Sequence, residues 1–364
     1  MDRIIKRILD RIEDEGYEAY VVGGYVRDFL LGKKTFDVDI CTNALPKELH
    51  RIFPGSNNAN NYGGFNLKVK QYNIDITTYR KEVKYENRKP VEIIYINNLL
   101  EDLKRRDFTI NALCMGTNEK IIDPLNATED IYNHEVKMIG NINEKLSDDP
   151  LRILRAIRFA TVLDFNIDKE LLAGIKKYSK LAATLSGMRI KEEMNRILLS
   201  DNYRKGLSLL KELGISKAIK MNYDHVIKCS DINMMWAQIE CDIIPFTKQE
   251  KQFINKLQEV IAIGKINYKT MFKYGLYLNT VASEYLGINK KTINKIYHTL
   301  PIKSINELDI TPNEIVELLD IKPGAIIKII QQELIDLILN KKLKNQKRNI
   351  VSYLKLNKGK WQNE

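Results

Sequence analysis

A chain of 364 residues exceeds one ordinary core and suits roughly two to four modest units, at about 100–200 residues per domain. With 44% hydrophobic and 29% charged residues, and no apolar run near the roughly 18 residues of a spanning helix, the composition excludes an integral helical membrane protein. The formal net charge of +11 is uneven: residues 1–150 carry 22 Lys+Arg against 25 Asp+Glu, and the other 214 carry 36 against 22. A near-neutral first part joined to a basic remainder suits a polyanionic partner such as nucleic acid.

Residues 1–7 are amphipathic and mix charges, without the apolar stretch of a secretory signal, so the expected location is cytoplasmic. Cys41, Cys114, Cys229 and Cys241 are scattered, with no Cys-x-x-Cys pair, and His50, His134, His225 and His298 share no spacing. Buried reduced thiols fit better than a zinc site or a disulfide framework.

In chain order, Ile4, Ile5, Ile8, Leu9 and Ile12 follow helical spacing, and Gly16 closes that helix before a short strand at 19–22. Gly23-Gly24 then opens a second helix over 24–31, closed by Gly32. Phe36-Asp37-Val38-Asp39-Ile40 alternates strictly, which predicts a strand with apolar side chains on one face and two carboxylates on the other. Strands are expected at 65–69 and 72–79, with Asp75 inside the second. From Asp149 onward strand signals nearly vanish, and helical periodicity runs over 151–165, 190–199, 203–213 and 314–339. Between Leu337 and Asn363 no acidic residue occurs, while Lys341, Lys342, Lys344, Lys347 and Arg348 fall there, making this segment the candidate RNA-backbone surface.

Asp37 and Asp39, two apart on a strand, project on the same side and repel one another unless a divalent cation lies between them. Carboxylates and phosphate oxygens are the hard ligands that Mg²⁺ takes in nucleotidyl transfer. Thirteen residues earlier, Gly24 begins a helix whose backbone N–H groups can approach phosphate, with Arg27 as a guanidinium nearby. Plainer readings stand beside these: a solvated strand face for the aspartates, and an internal ion pair for Arg27 and Asp28.

Further on, Arg152, Arg155 and Arg158 recur at i+3 steps and form one stripe, with Asp149 at its start. A carboxylate accepting from an exocyclic amine beside an arginine donating to a ring acceptor fits cytosine and adenine, and misfits uracil and guanine. The alternative is that Asp149 caps a helix beginning at Pro150 while the arginines form ion pairs.

Three motifs in order, Gly23-Gly24-Tyr25-Val26-Arg27-Asp28, Asp37-Val38-Asp39-Ile40 and Arg105-Arg106-Asp107-Phe108-Thr109-Ile110-Asn111-Ala112, resemble the class II tRNA nucleotidyltransferase and bacterial poly(A) polymerase family. The similarity continues through Ile122-Asp123-Pro124, Asp149-Pro150-Leu151-Arg152 and Arg155-Ala156-Ile157-Arg158-Phe159-Ala160. It implies an α+β fold: a polymerase-beta-like nucleotidyltransferase head with a small mixed sheet over 1–135, then an all-α neck (136–200), body (201–300) and basic tail (301–364).

The resemblance further implies Asp37 and Asp39 as Mg²⁺ ligands, and Gly24 and Arg27 at the incoming nucleotide. Arg106 and Asp107 would lie near its sugar and phosphates, Asp149, Arg152, Arg155 and Arg158 at its base, and Gly23, Asp28, Asp75 and Asn111 nearby. The implied partners are tRNA, CTP and ATP, with no membrane and no obligate protein partner.

The chain departs from the family in having Asp148-Asp149 for Glu-Asp and Ser186-Gly187-Met188-Arg189-Ile190 for a motif usually carrying Glu before its arginine. Its segment over 82–90 is short and lacks the usual Asp before the arginine. The expected activity is template-independent, Mg²⁺-dependent addition of C, C and A to the 3′ end of tRNA from CTP and ATP with release of pyrophosphate; the alternatives are addition of CC or A alone, poly(A) synthesis and a non-catalytic RNA-binding protein.

Overall fold

The computed structural model describes residues 1–54, 57–58, 64–86 and 89–361, the side chains of 57–58, 82–86 and 89–91 apart. It divides into two compact units, Met1–Asn222 with Cys241–Pro245, and Tyr223–Glu240 with Phe246–Glu364.

The first unit begins with α1 (Arg3–Glu13), β1 (Ala19–Val22), α2 (Gly24–Leu30), β2 (Asp37–Thr42), α3 (Pro46–Ile52), β3 (Asn57–Asn58), β4 (Gly64–Val69) and β5 (Tyr72–Thr78). There follow β6 (Arg80–Glu86), β7 (Lys89–Tyr95), α4 (Leu99–Lys104), β8 (Cys114–Met115), β9 (Ile121–Ile122), α5 (Ala127–Tyr132) and β10 (Glu135–Val136). Seven strands form one mixed sheet in the order β3-β4-β5-β2-β1-β8-β9. β2 lies between parallel β5 and antiparallel β1.

Strand alternation in β2 positions the site. Val38 and Ile40 are buried on one face, while Asp37 and Asp39 are exposed on the other. The carboxylate face turns apolar at Cys41, which joins Val22, Tyr79, Leu103, Ala112, Cys114 and Ile139 in a buried cluster. A core at one end of the strand thus holds rigid the end that carries the charges.

The helical remainder of this unit comprises α6 (Ile142–Asp148), α7 (Leu151–Leu163), β11 (Asn166–Ile167), α8 (Lys169–Tyr178), α9 (Gly187–Leu199), α10 (Tyr203–Glu212) and α11 (Ile215–Ala218). α7 packs on α9 and α10. It stops at Asp164, which turns left-handed at φ 61°, two residues short of the expected end. β10 and β11 form a separate parallel pair.

The second unit holds α12 (Ile232–Trp236), α13 (Lys248–Ile263), α14 (Tyr268–Tyr285), α15 (Lys290–His298), α16 (Pro312–Leu319), α17 (Ala325–Leu339), α18 (Lys347–Leu356) and α19 (Lys358–Trp361). α14 breaks at Gly275, whose φ of 76° favours glycine, and the buried Asn279 amide donates to the Thr270 and Gly275 carbonyls there. The single helix expected over 314–339 is two: Asp320 is left-handed, and Pro323-Gly324 cannot carry the helix through. No helix among the described residues is long and apolar enough to cross a membrane.

The segment over 82–90, short against the family pattern, belongs to the antiparallel pair β6–β7 in its described backbone. Residues 87 and 88, including the arginine of that comparison, lie outside the described residues. Cys41, Cys114 and Cys229 are buried free thiols, and Cys241 is half-buried.

Candidate active site

A cleft of about 730 Å³ in the first unit is lined by Gly23, Gly24, Arg27, Asp28, Asp37, Asp39, Arg106, Asp107, Asn111, Asp149, Arg152, Arg155 and Arg158. The three sequence motifs and the arginine stripe therefore converge on one space, although Gly23 and Arg158 are about 135 residues apart in the chain.

The floor is β2. Asp39 opens to the cleft while protein crowds its other sides. That burial, with like charge on Asp75 and Asp37, pushes its carboxyl above the usual range against the pull of Arg106. Asp75 is in register with Asp39 on β5, and its Oδ1 accepts from the Asn66 amide at 2.7 Å. It is not among the residues lining the cleft. Gly23 presses against the floor at φ 79°, and a Cβ there would stand 3.5 Å from the Asp39 carboxylate. That distance is an ordinary contact, so it is the positive φ that favours glycine at this position.

Arg27 is buried. Its Nη1 donates to Asn111 Oδ1 at 2.6 Å, and its Nε and Nη2 donate to Asp28 Oδ1 at 2.9 and 2.7 Å. The internal ion pair raised as the plainer reading is present, inside the cleft wall. Asn111 also donates to Asp107 at 3.2 Å. Asp107 accepts from Arg155 Nε at 2.6 Å, and although burial opposes it, the Arg155 guanidinium and the hydrogen bonds of Asn111, Arg155 and the Phe108 N–H hold its carboxyl below the usual range.

Arg106 is held against the buried Asp102 at 3.4 Å, and its Nε has no hydrogen-bond partner within the protein. Burial works against its charge, but Asp102 and the other acidic groups around it raise its pKa. A guanidinium thus placed, with an orphaned N–H, suits an anionic ligand.

At the far wall, Asp149 Oδ1 accepts from the Leu151 N–H at 3.2 Å, so it does cap α7, and it stands 3.7 Å from Arg189 Nη1. Arg152 donates through Nη1 to the Lys145 carbonyl at 2.8 Å. Arg158 pairs with Glu193 at 2.5 Å, both nearly buried, and burial takes its pKa down to about 10 despite that partner. Phe159 lies beneath the guanidiniums of Arg158 at 3.9 Å, Arg27 at 5.3 Å and Arg155 at 5.5 Å.

The cleft also contains Thr35, Arg80, Arg105, Leu151, Phe159, Arg189 and Arg196, which sequence reasoning did not assign to it. Arg105, Leu151, Phe159 and Arg189 lie inside quoted motifs, and a spacing signal existed for Arg189 and Arg196. Arg189 and Arg196 are seven residues apart on one helix, two turns along the same face, with Arg189 inside a quoted motif.

The basic segment near the C-terminus lies in the second unit. Lys341, Lys342, Lys344, Lys347 and Arg348 are all exposed. Lys347 ion-pairs with Glu314, whose carboxyl is pulled down to about 2 by that contact and by the Thr311 N–H, and Lys341 sits over the Tyr268 ring at 5.2 Å.

Among the described residues no three His, Cys, Asp or Glu side chains gather as a metal cage. Two strand carboxylates, one of them uneasy in its charged form, nevertheless fit a cation that takes its remaining ligands from phosphate.

A mixed sheet bearing paired carboxylates under an arginine-lined cleft, followed by a helical remainder, defines a nucleotidyltransferase of the poly(A) polymerase type. The profile of the poly(A) polymerase head domain matches residues 19–137, that of the RNA- and SrmB-binding site of polymerase A residues 164–222, and that of tRNA nucleotidyltransferase domain 2 residues 208–354. More particularly, the chain belongs to the CCA-adding enzyme family. It is 31% identical to the CCA-adding enzyme of Lactococcus lactis subsp. lactis (strain IL1403) over 96% of each chain. It is 32% identical to that of Limosilactobacillus reuteri (strain DSM 20016), over 93% of this chain and 92% of the relative. The fold matches the crystal structure of the Bacillus stearothermophilus CCA-adding enzyme in complex with CTP with a TM-score of 0.81 at 23% identity over the whole of both chains.

Proposed function

We propose that this chain adds C, C and A to the 3′ end of tRNA from CTP and ATP, releasing pyrophosphate. The observation that carries the reading is the placement of Asp37 and Asp39 on one exposed strand face, inside the cleft that also holds Gly23, Arg106, Asp149 and Arg152.

In this reading Asp37 and Asp39 hold Mg²⁺ together with phosphate oxygens. Bound there, the ion would help activate the RNA 3′-hydroxyl and neutralise charge on the departing pyrophosphate. Asp75 acts through Asp39, raising its demand for a cation. Gly23 and Gly24 keep the backbone open to the triphosphate, while Arg106 and Arg27 supply positive charge already fixed by Asp102, Asp28 and Asn111.

Asp149 and Arg152 select the base. The carboxylate accepts from cytosine N4 or adenine N6, and the guanidinium donates to cytosine N3 or adenine N1. Uracil and guanine would set an acceptor against the carboxylate and leave polar groups unpaired. Arg155 and Arg158 are braced by Asp107 and Glu193 and keep the stripe in shape.

The chain then reads as a head (1–135), neck (136–200), body (201–300) and tail (301–364). Lys341, Lys342, Lys344, Lys347 and Arg348 form the basic surface of the tail toward tRNA, in the cytoplasm. The test is product sequencing from a tRNA lacking its last three nucleotides and from one ending after the second C, with CTP, ATP or both, with and without Mg²⁺. The expected product is CCA, with Mg²⁺ required. Addition that stops at CC or adds A alone would limit the enzyme to part of the reaction, and long A-tails on unrelated RNA would overturn the reading.

A further inference from the structure

We propose that Lys145 is a positioning residue that locks the Arg105–Arg106 segment to the Asp149–Arg152 segment, and so sets nucleotide selectivity without touching the nucleotide. The inference rests on the base-selecting role given above to Asp149 and Arg152.

Lys145 lies on α6, half-buried, and is not among the residues lining the cleft. Its ammonium donates to three successive carbonyls, those of Lys104, Arg105 and Arg106, each at 3.0 Å. These carbonyls stand at the end of α4, where the helix leaves its last acceptors without N–H partners and where positive charge is favoured. Three donors on one ammonium meet three acceptors arranged around it.

The backbone carbonyl of the same residue serves the other segment. The Lys145 carbonyl accepts from Arg152 Nη1 at 2.8 Å and from the Asp149 N–H at 3.2 Å. One residue therefore holds the main chain that carries Arg106, the side chain of Arg152 and the main chain of Asp149. A second brace runs in parallel, where Asp107, next after Arg106, binds Arg155. With two braces the wall cannot pivot about a single contact. Base selection depends on holding donors and acceptors to a fraction of an ångström, so loss of one brace should be read first in discrimination between nucleotides.

The test compares the full-length wild type with Lys145→Met, which keeps the stem and removes the charged donors, in steady-state addition to a tRNA lacking its last three nucleotides. The expected result is a rise of about tenfold in KM for CTP and a fall of about tenfold in the preference for CTP over UTP, with kcat changed less than threefold. Lys145→Arg, which restores charge and donors, should recover most of the preference.

A variant with wild-type KM and wild-type preference, whatever its melting temperature, would overturn the proposal and leave Lys145 a structural cap. Should Lys145→Met not fold, Lys145→Gln gives the same readout, and an unchanged preference there overturns it equally. Wild type itself failing to prefer CTP over UTP would instead defeat the base-selecting reading beneath it.

Discussion

Asp39 and Asp75 stand in register on neighbouring parallel strands, two carboxylates of like charge side by side. The protein spends folding stability to keep them there. Burial and the charges of Asp75 and Asp37 make the ionised form of Asp39 costly, and Arg106 offsets only part of that cost. Like charges gathered on one strand face are what a site for a divalent cation requires.

Asp39→Asn should therefore stabilise the metal-free protein while abolishing nucleotide incorporation. A carboxyl whose folded-state pKa lies above its unfolded value favours the fold when protonated, and that contribution is lost as pH rises through the raised pKa. The melting temperature of Asp39→Asn should exceed that of wild type by on the order of 2 °C at neutral pH, with the gap closing toward roughly pH 4. Thermal scans across pH in chelator check this; a variant less stable than wild type at pH 7 would contradict the raised pKa.

Asp37→Ala should reduce transfer to background while leaving tRNA affinity within about twofold, because under the proposed metal role a cation held there would serve the chemical step more than RNA docking. Single-turnover incorporation and filter binding measure the two separately. Substantial residual transfer would overturn the metal-holding role proposed for Asp37.

Asp107→Ala should cost about 2 kcal/mol of stability, less than a fully buried pair because Arg155 keeps some exposure. Since the Asp107 carboxyl is held below its usual range, its contribution is present above the unfolded value and lost as pH falls through the folded one. Denaturant unfolding at pH 7 should show the full loss and at pH 3 a smaller one. Equal losses at both would point away from the ion pair.

Gly187→Ala should destabilise the first unit by about 2–3 kcal/mol, since overpacking against backbone has no side chain to yield. The added Cβ would fall 1.9 Å from the Ile243 carbonyl oxygen and 2.8 Å from Pro245. As α9 carries Arg189 and Arg196, nucleotide KM should rise as well. A neutral substitution, read by thermal melting, would show that the 241–245 segment can move aside.

Lys341→Ala with Lys342→Ala should weaken tRNA binding and lower its salt slope by about one for each lost phosphate contact. Lys347→Ala should alter the slope less, because its ammonium is already committed to Glu314. Binding measured over a potassium chloride series decides. An unchanged slope for the double variant would exclude this surface.

Much of the site was legible because it is local. Strict alternation in Phe36-Asp37-Val38-Asp39-Ile40 is enough to place both carboxylates on one face, since side-chain direction in a strand depends only on parity. The i+3 spacing likewise sets Arg152, Arg155 and Arg158 on one side of α7, and all three line the cleft. The helix expected over 314–339 was misread for the same reason in reverse: apolar periodicity continued across Asp320 and Pro323-Gly324, whose backbone preferences overrode it.

The sequence by itself determined which side chains share a face, which segments are helical and where the positive charge accumulates. Only the tertiary structure decided which partner each charge takes: Asp107 for Arg155, 48 residues away, Glu193 for Arg158, 35 away, and the Lys145 carbonyl for Arg152. The physical reason is range. Periodicity follows from the geometry of a few consecutive residues, whereas an ion pair or a braced carbonyl depends on where distant segments come to rest once their apolar faces have packed.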